Sequence, residues 1–211
     1  MYDFATVLSD AEIDPGTNVL VAGAPLTGKR RIALDVLAGG VNRGDGALIV
    51  TTKDDAETVL SGFESFLDGE ETLEDVDVGV VDCVTKQRGV GAIEDDPRVK
   101  YVSSPVDMTG IGIKLSEFLQ EFYEGRGIDR NRILLHSIST LLMYSDLQTV
   151  FRFLHVFTGR VQSADAMGIY VIDSTAHDEQ TMNTLKQLFD AVVEVEEGEN
   201  EEPVLHTAGI S

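Results

Sequence analysis

The chain has 211 residues, 43% of them hydrophobic, and carries 37 acidic against 16 basic side chains for a formal net charge of −21. This length and apolar content suit one globular domain that buries roughly 70% of its unfolded surface, and the sign of the charge opposes a broad nucleic-acid footprint, which needs a basic face. No apolar run approaches the roughly 18 residues of a membrane span, and no basic segment followed by an apolar stretch opens the chain, so neither a span nor a signal peptide is expected.

Short β-branched runs alternate with helix-period segments, the pattern of βα units around a mainly parallel sheet. A first strand is predicted over 18–23, then a helix over 28–39, a strand over 46–52 and a helix over 54–67. A strand over 76–83 ends on Cys83, the one cysteine, which has no partner for an internal disulfide and is expected to be a buried small side chain of a reduced, cytoplasmic protein. Thr85 to Pro97 mixes glycine with charge and shows no period, so 85–97 reads as a long loop before a strand over 99–103. In the helix predicted over 110–125, Ile111, Leu115, Phe118, Leu119 and Phe122 define one buried face before Gly125 and Gly127 stop it.

A strand over 131–136 precedes a helix over 145–165 that carries two apolar stripes, Leu147, Phe151, Leu154 and Val161 beside Val150, Phe153 and Phe157. A helix apolar on more than one face is expected to be buried on more than one side, either under neighbours in its own domain or against a second subunit or protein partner. A strand over 168–173, a helix over 178–189 with Asp178 as a candidate cap, and a strand over 190–196 follow. The segment 194–211 is acidic, with Pro203 to His206 as an edge strand. His136, His155, His177 and His206 show no metal-ligand spacing, and His155 is read as a core or interface histidine.

The chemistry concentrates at Gly23-Ala24-Pro25-Leu26-Thr27-Gly28-Lys29-Arg30, directly after the first strand. The segment fits the phosphate-binding loop pattern at every fixed position except the last, where Arg30 replaces Ser or Thr. Such glycines let backbone N–H groups converge on phosphate oxygens while the lysine places a charge at the outer phosphates. The missing hydroxyl would hold Mg²⁺, and a guanidinium has no lone pair to offer a metal. Two further elements are altered in the same sense. His136 ends an apolar strand where an Asp would hold Mg²⁺ through its water shell. Lys53 stands after the second strand where an acid would orient water, with Asp54 one position on as an imperfect substitute.

The order and spacing of Gly23 to Arg30, Leu48 to Asp55, Arg132 to Leu142, Gly168 to Asp173 and Leu188 to Val193 resemble the RecA/KaiC-like ATPase superfamily, and within it a degenerate branch like those of halophilic archaea, over residues 15–196. The resemblance implies a single-domain, RecA-like α/β fold with a mainly parallel central sheet flanked by helices. It also implies ATP or another nucleotide held by Gly23, Leu26, Thr27, Gly28, Lys29 and Arg30. No residue is assigned as a metal ligand, and Mg²⁺ is not expected to find its usual pair of groups.

Several alternatives stay open at this level. The chain is a regulatory or scaffold protein that binds nucleotide or phosphate with little or no hydrolysis, or a KaiC-like ATPase using Asp54 or Asp55. A third reading is a ligand-free structural partner in a signalling, transcription or motility complex. Lys29, Arg30 and Lys53 either supply the charge that Mg²⁺ would bring, or Arg30 and Arg31 lie on a solvated face and pair with nearby acids. Asp173, Ser174 and Thr175 either read phosphate state or cap the next helix.

The charge itself yields one expectation about stability. An acidic surface repels itself, and molar salt shortens the Debye length to about 3 Å. The domain is therefore expected to melt at a higher temperature in molar KCl than in dilute buffer; a thermal scan showing an equal or lower melting temperature at high salt would contradict it.

Overall fold

Apolar runs with no polar alternation become strands covered on both faces, and helices on each face supply the cover. The computed structural model describes residues 1–4, 8–69, 71–89, 95–198 and 203–210. Its strands are β1 (Tyr2–Phe4), β2 (Leu8–Ile13), β3 (Asn18–Gly23), β4 (Gly46–Thr51), β5 (Val78–Asp82), β6 (Val99–Tyr101), β7 (Asn131–His136), β8 (Met167–Asp173), β9 (Ala191–Glu197) and β10 (Pro203–Ala208). Its α-helices are α1 (Lys29–Val41), α2 (Ala56–Glu64), α3 (Thr85–Arg88), α4 (Met108–Gln120), α5 (Ile138–Tyr144), α6 (Leu147–Ser163) and α7 (Glu179–Lys186). Strands β3 to β10 form one eight-stranded sheet in the order β10-β9-β3-β8-β7-β4-β5-β6. Every pairing in it is parallel except that of β10 with β9. This is the single-domain, RecA-like α/β architecture expected from the sequence.

Alternate residues of each strand feed two hydrophobic layers. Val19, Val21 and Ile49 pack with Ile32, Val36, Leu37 and Phe63 of α1 and α2. Leu20, Val50 and Leu135 pack with Ile111, Leu115, Leu154 and Leu185 of α4, α6 and α7. Cys83 belongs to the second layer and is fully buried, and burial pushes its thiol well above the ordinary range, so it is an inert core side chain. No helix among the described residues is long and apolar enough to cross a membrane.

Several boundaries differ from the sequence reading. Asp107 accepts the Gly110 N–H at 2.9 Å and so starts α4 two residues early, and the predicted 110–125 helix leaves α geometry after Gln120 for a π turn over Glu121–Gly125. Ile111, Leu115, Phe118 and Phe122 are buried as expected, whereas Leu119 is only half-buried. Helix α5 escapes sequence reading because seven residues span less than two turns, and the antiparallel β1–β2 hairpin because β2, Leu8-Ser9-Asp10-Ala11-Glu12-Ile13, has neither an apolar run nor a strict alternation. The segment 85–97 opens with the helical turn α3 rather than as loop throughout; 90–94 of that segment, and 199–202 of the acidic tail, lie outside the described residues.

Helix α6 corrects a more substantive expectation. Val150, Leu154, Phe157 and Val161 are buried, while Leu147, Phe151 and Phe153 are half-buried flanks. At about 100° per residue the two stripes merge into one arc of about 160°, so a single broad face is buried rather than two faces on separate sides. His155 is exposed on the outer side and is not a core residue.

The amino edge of the sheet is locked by a buried arginine. Arg132 is fully buried on β7; its Nε donates to Asp45 Oδ2 at 2.9 Å, and its Nη1 donates to the carbonyls of Asp3 and Val36 at 2.8 Å each. Asp45 also accepts from Arg130 Nε at 2.8 Å, and both guanidinium groups lie over the Tyr2 ring. The arginine reaches its partners across α1 at Gly40, where an added Cβ would lie 2.1 Å from Arg132 Nε. Gly in a helix interior costs about 1 kcal/mol relative to Ala. Gly40→Ala is nonetheless expected to destabilise the domain by about 2 kcal/mol in urea denaturation, through overpacking and displacement of a buried charge; a neutral or stabilising result would show that Arg132 is not held there.

Candidate phosphate-binding site

Parallel register brings the ends of four strands to one edge. Gly23 pairs with Asp173 across β3 and β8, and Thr51 pairs with His136 across β4 and β7. The carboxyl edge of an open α/β sheet is where such folds take ligands. The loop from Gly23 to Arg30 leaves β3 at this edge and runs into α1. An added Cβ on Gly23 would lie 2.4 Å from the Val195 carbonyl oxygen, so only glycine lets the loop turn this close to β9. Gly28 adopts φ 88 as the residue before α1, and Leu26 adopts φ 68, a left-handed conformation uncommon for a leucine.

Within the loop, Thr27 Oγ1 donates to the Ala24 carbonyl at 2.9 Å, and Lys29 Nζ donates to the same oxygen. Lys29 is buried, and its ammonium lies 3.0 Å from Asp173 Oδ1. The first intrahelical bond of α1 runs from Ile32 N–H to Gly28 O at 3.0 Å, so the N–H groups of the preceding turn have no acceptor within the helix. Helices α2, α4, α6 and α7 each start on an Asp side chain that accepts a backbone N–H, and α5 starts on Ser137. Helix α1 has neither a side-chain cap nor an acid in its first turn, and that turn carries Lys29, Arg30 and Arg31. Cations at the positive end of a helix oppose its macrodipole, so this terminus is strongly electropositive.

The second wall is set by side-chain to backbone bonds that tie β4 to β7. Thr52 Oγ1 donates to the Ser137 carbonyl at 3.0 Å and accepts the Ser137 N–H at 2.8 Å, while Thr51 Oγ1 donates to the Asp54 carbonyl at 2.7 Å. Buried Asp82 accepts the N–H groups of Ala56, Val84 and Thr85 and so fixes where α2 begins. These bonds place Lys53, Asp54 and His136 opposite the loop, and Arg30 Nη1 lies 3.6 Å from Asp54 Oδ2. The position that lacks a metal-binding hydroxyl thus pairs with the candidate acid.

Loop and wall enclose a groove of ≈ 590 Å³, whose lining includes Leu26, Gly28, Lys29, Arg30, Lys53, Asp54, His136 and Asp173. Gly23 and Thr27 do not line it; they shape the loop from behind. Leu34, Phe66 and Val171 also line the groove and were not legible in the sequence, since nothing local marks an apolar residue as groove-facing. Asp173 caps no helix with its side chain, so of the two readings of Asp173 the capping one is excluded; Asp178 does cap α7, accepting the Thr181 N–H at 2.7 Å. Ser139 Oγ holds the end of β8 by accepting the Asp173 N–H at 2.9 Å, and it lies 2.8 Å from His177 Nε2. Among the described residues no group of three or more His, Cys, Asp or Glu side chains is placed to hold a metal.

Burial, reinforced by the Arg30 guanidinium, draws the His136 imidazole down to about 4, with Asp54 opposing the shift. It is neutral at pH 7. An unfolded histidine titrates near 6.5, so between pH 6.5 and about 4 the unfolded chain binds a proton that the folded chain does not. The stability from neutral His136 is complete above pH 6.5 and is lost as pH falls toward 4, by about 3 kcal/mol at most. His136→Gln is expected to flatten the fall in urea stability between pH 6.5 and 4.5 relative to the parent; parallel profiles for the two proteins would show that His136 does not titrate in this way.

Solved structures share this architecture, PH0321 and PH0186 among them. PH0321, an uncharacterized protein from Pyrococcus horikoshii solved in complex with an unknown peptide, is similar with a TM-score of 0.70 over 94% of this chain and 94% of its own, at 14% identity. The KaiC-like protein PH0186 from the hyperthermophilic archaeon Pyrococcus horikoshii OT3 is similar with a TM-score of 0.58 over 93% of this chain and 78% of its own, also at 14% identity. At such identity the likeness establishes the KaiC/RecA-like fold alone. Among curated proteins, none matches the sequence. A model of the family DUF7504, described as a family of unknown function, matches residues 16–195, and the chain belongs to that family.

Proposed function

We propose that this chain is a cytoplasmic regulatory or scaffold protein of the RecA/KaiC-like fold that binds the phosphates of a nucleotide and hydrolyses them little or not at all. The observation that carries the reading is the charge of the groove. Four cations, Lys29, Arg30, Arg31 and Lys53, line it against two carboxylates, Asp54 and Asp173, giving a local balance of +2 (4 − 2) on a chain of net charge −21. Oriented N–H groups at the start of α1 add to that field. A recessed cradle of this kind keeps its attraction for an anion where exposed ion pairs are screened by salt.

The weak-turnover half of the reading follows from the same side chains. Phosphoryl transfer depends on placed metal charge and an oriented nucleophile. Each carboxylate of the groove is instead engaged by a cation, Asp173 by Lys29 at 3.0 Å and Asp54 by Arg30 at 3.6 Å. A partner surface is available on the face of α4 and α6, where Ile113 and Val156 are exposed beside half-buried Phe153 around a groove of ≈ 360 Å³.

Calorimetry in high KCl is expected to show ATP binding to the parent protein. Lys29→Ala should weaken it at least about tenfold, or about 1.4 kcal/mol, and Arg31→Ala much less. Phosphate release should stay well below about 1 s⁻¹. Absence of nucleotide or phosphate binding, or equal losses in the two variants, would make the loop a structural relic and favour the ligand-free scaffold reading; rapid turnover would favour an ATPase.

A further inference from the structure

We propose that the groove selects its phosphate ligand in the metal-free form, with Arg30 and Lys53 supplying the charge of a divalent cation and His136 donating a hydrogen bond to a phosphate oxygen. The inference deepens the phosphate-binding reading above and rests on it. It concerns which ionic form of the ligand is held.

The first observation is the state of the carboxylates. Asp54 and Asp173 are the acidic side chains of the groove, and each already faces a cation, Arg30 at 3.6 Å and Lys29 at 3.0 Å. A divalent ion drawn to either would have to displace that cation while remaining beside Lys29, Arg30 and Lys53, all of which repel it. A phosphate that arrives without a metal meets the opposite field: its unscreened oxygens face guanidinium and ammonium groups that donate hydrogen bonds as well as charge. Lys53 is exposed and forms no ion pair among the described residues, so its ammonium can turn onto a ligand without breaking one.

The second observation is His136. Its side chain is only 9% exposed, it lines the groove, and among the described residues no protein group hydrogen-bonds its imidazole. Neither imidazole nitrogen is sealed away from solvent, so the ring opens onto the groove, where a ligand oxygen would take up its N–H in place of water. The charged groups that act on it are Arg30, Lys53, Asp54 and Asp173. With one N–H donor in its neutral form it suits a phosphate oxygen; as one borderline nitrogen ligand with no companion it is a poor holder of Mg²⁺.

The test is ATP titration of the full chain in high KCl, once with EDTA and once with MgCl₂ in excess over ATP, followed by calorimetry. Binding at least fivefold tighter in EDTA is expected. Equal binding in the two buffers, or tighter binding with Mg²⁺, overturns the metal-free proposal and leaves phosphate binding standing; no binding in either buffer overturns the phosphate-binding reading and this proposal with it. The pair Arg30→Thr with His136→Asp is expected to reverse the preference, so that Mg²⁺ now tightens ATP binding. A folded double variant that keeps the parent's preference for EDTA would show that these two side chains do not set it.

Discussion

The site depends on one geometric constraint, the common termination of parallel strands. Because β3, β8, β7 and β4 lie side by side in parallel register, Gly23 and Asp173 end one pair while Thr51 and His136 end the next. A shift of one residue in either pair would turn every side chain of a strand to the opposite layer, so the hydrophobic pattern that builds the core also fixes which side chains reach the edge. Val19 and Val21 belong to one layer and Leu20 and Ala22 to the other, which leaves no freedom in where Gly23 emerges. The short polar bonds of Thr51, Thr52, Asp82 and Ser139 then hold the loops beyond the strands.

The two edges of the sheet use charge in opposite ways. At the amino edge, Arg132 is sealed beneath the hairpin with Asp45 and two carbonyls, and the Arg130 guanidinium on Asp45 completes the cluster. Such a cluster is fully satisfied and contributes a unique arrangement of hairpin, α1 and β7 more than net stability. At the carboxyl edge the cations outnumber the carboxylates, the first turn of α1 has no acid, and among the described residues the His136 imidazole has no hydrogen-bond partner. Departures from local consistency of this kind concentrate at functional sites and are offset by the rest of the fold.

Leu26 belongs to the same pattern. An exposed leucine at φ 68 gains no burial to offset its backbone conformation, and the loop holds it there through the Thr27 and Lys29 contacts to Ala24. The left-handed turns at Leu26 and Gly28 set the path of the loop into α1, and with it the direction of the first-turn N–H groups.

The sequence alone determined the alternation of strands and helices, because buried parallel strands read as unbroken apolar runs and amphipathic helices show their period over three or more turns. It also located the Gly23–Arg30 loop at the carboxyl edge, since glycine spacing and a following lysine are local features. Helix α5 was illegible because it spans less than two turns and the β1–β2 hairpin because β2 carries neither an apolar run nor a strict alternation, and the one broad face of α6 was split into two because a sequence does not show how wide an arc the sheet covers. Only the tertiary structure decided how the altered positions relate to one another. Arg30 and Asp54 lie 24 residues apart in sequence (54 − 30), and Lys29 and Asp173 lie 144 apart (173 − 29), yet each pair meets across the carboxyl edge. Strand order brings them together, and strand order is set by long-range packing of β3 against β8 and β4 against β7, which no local pattern encodes.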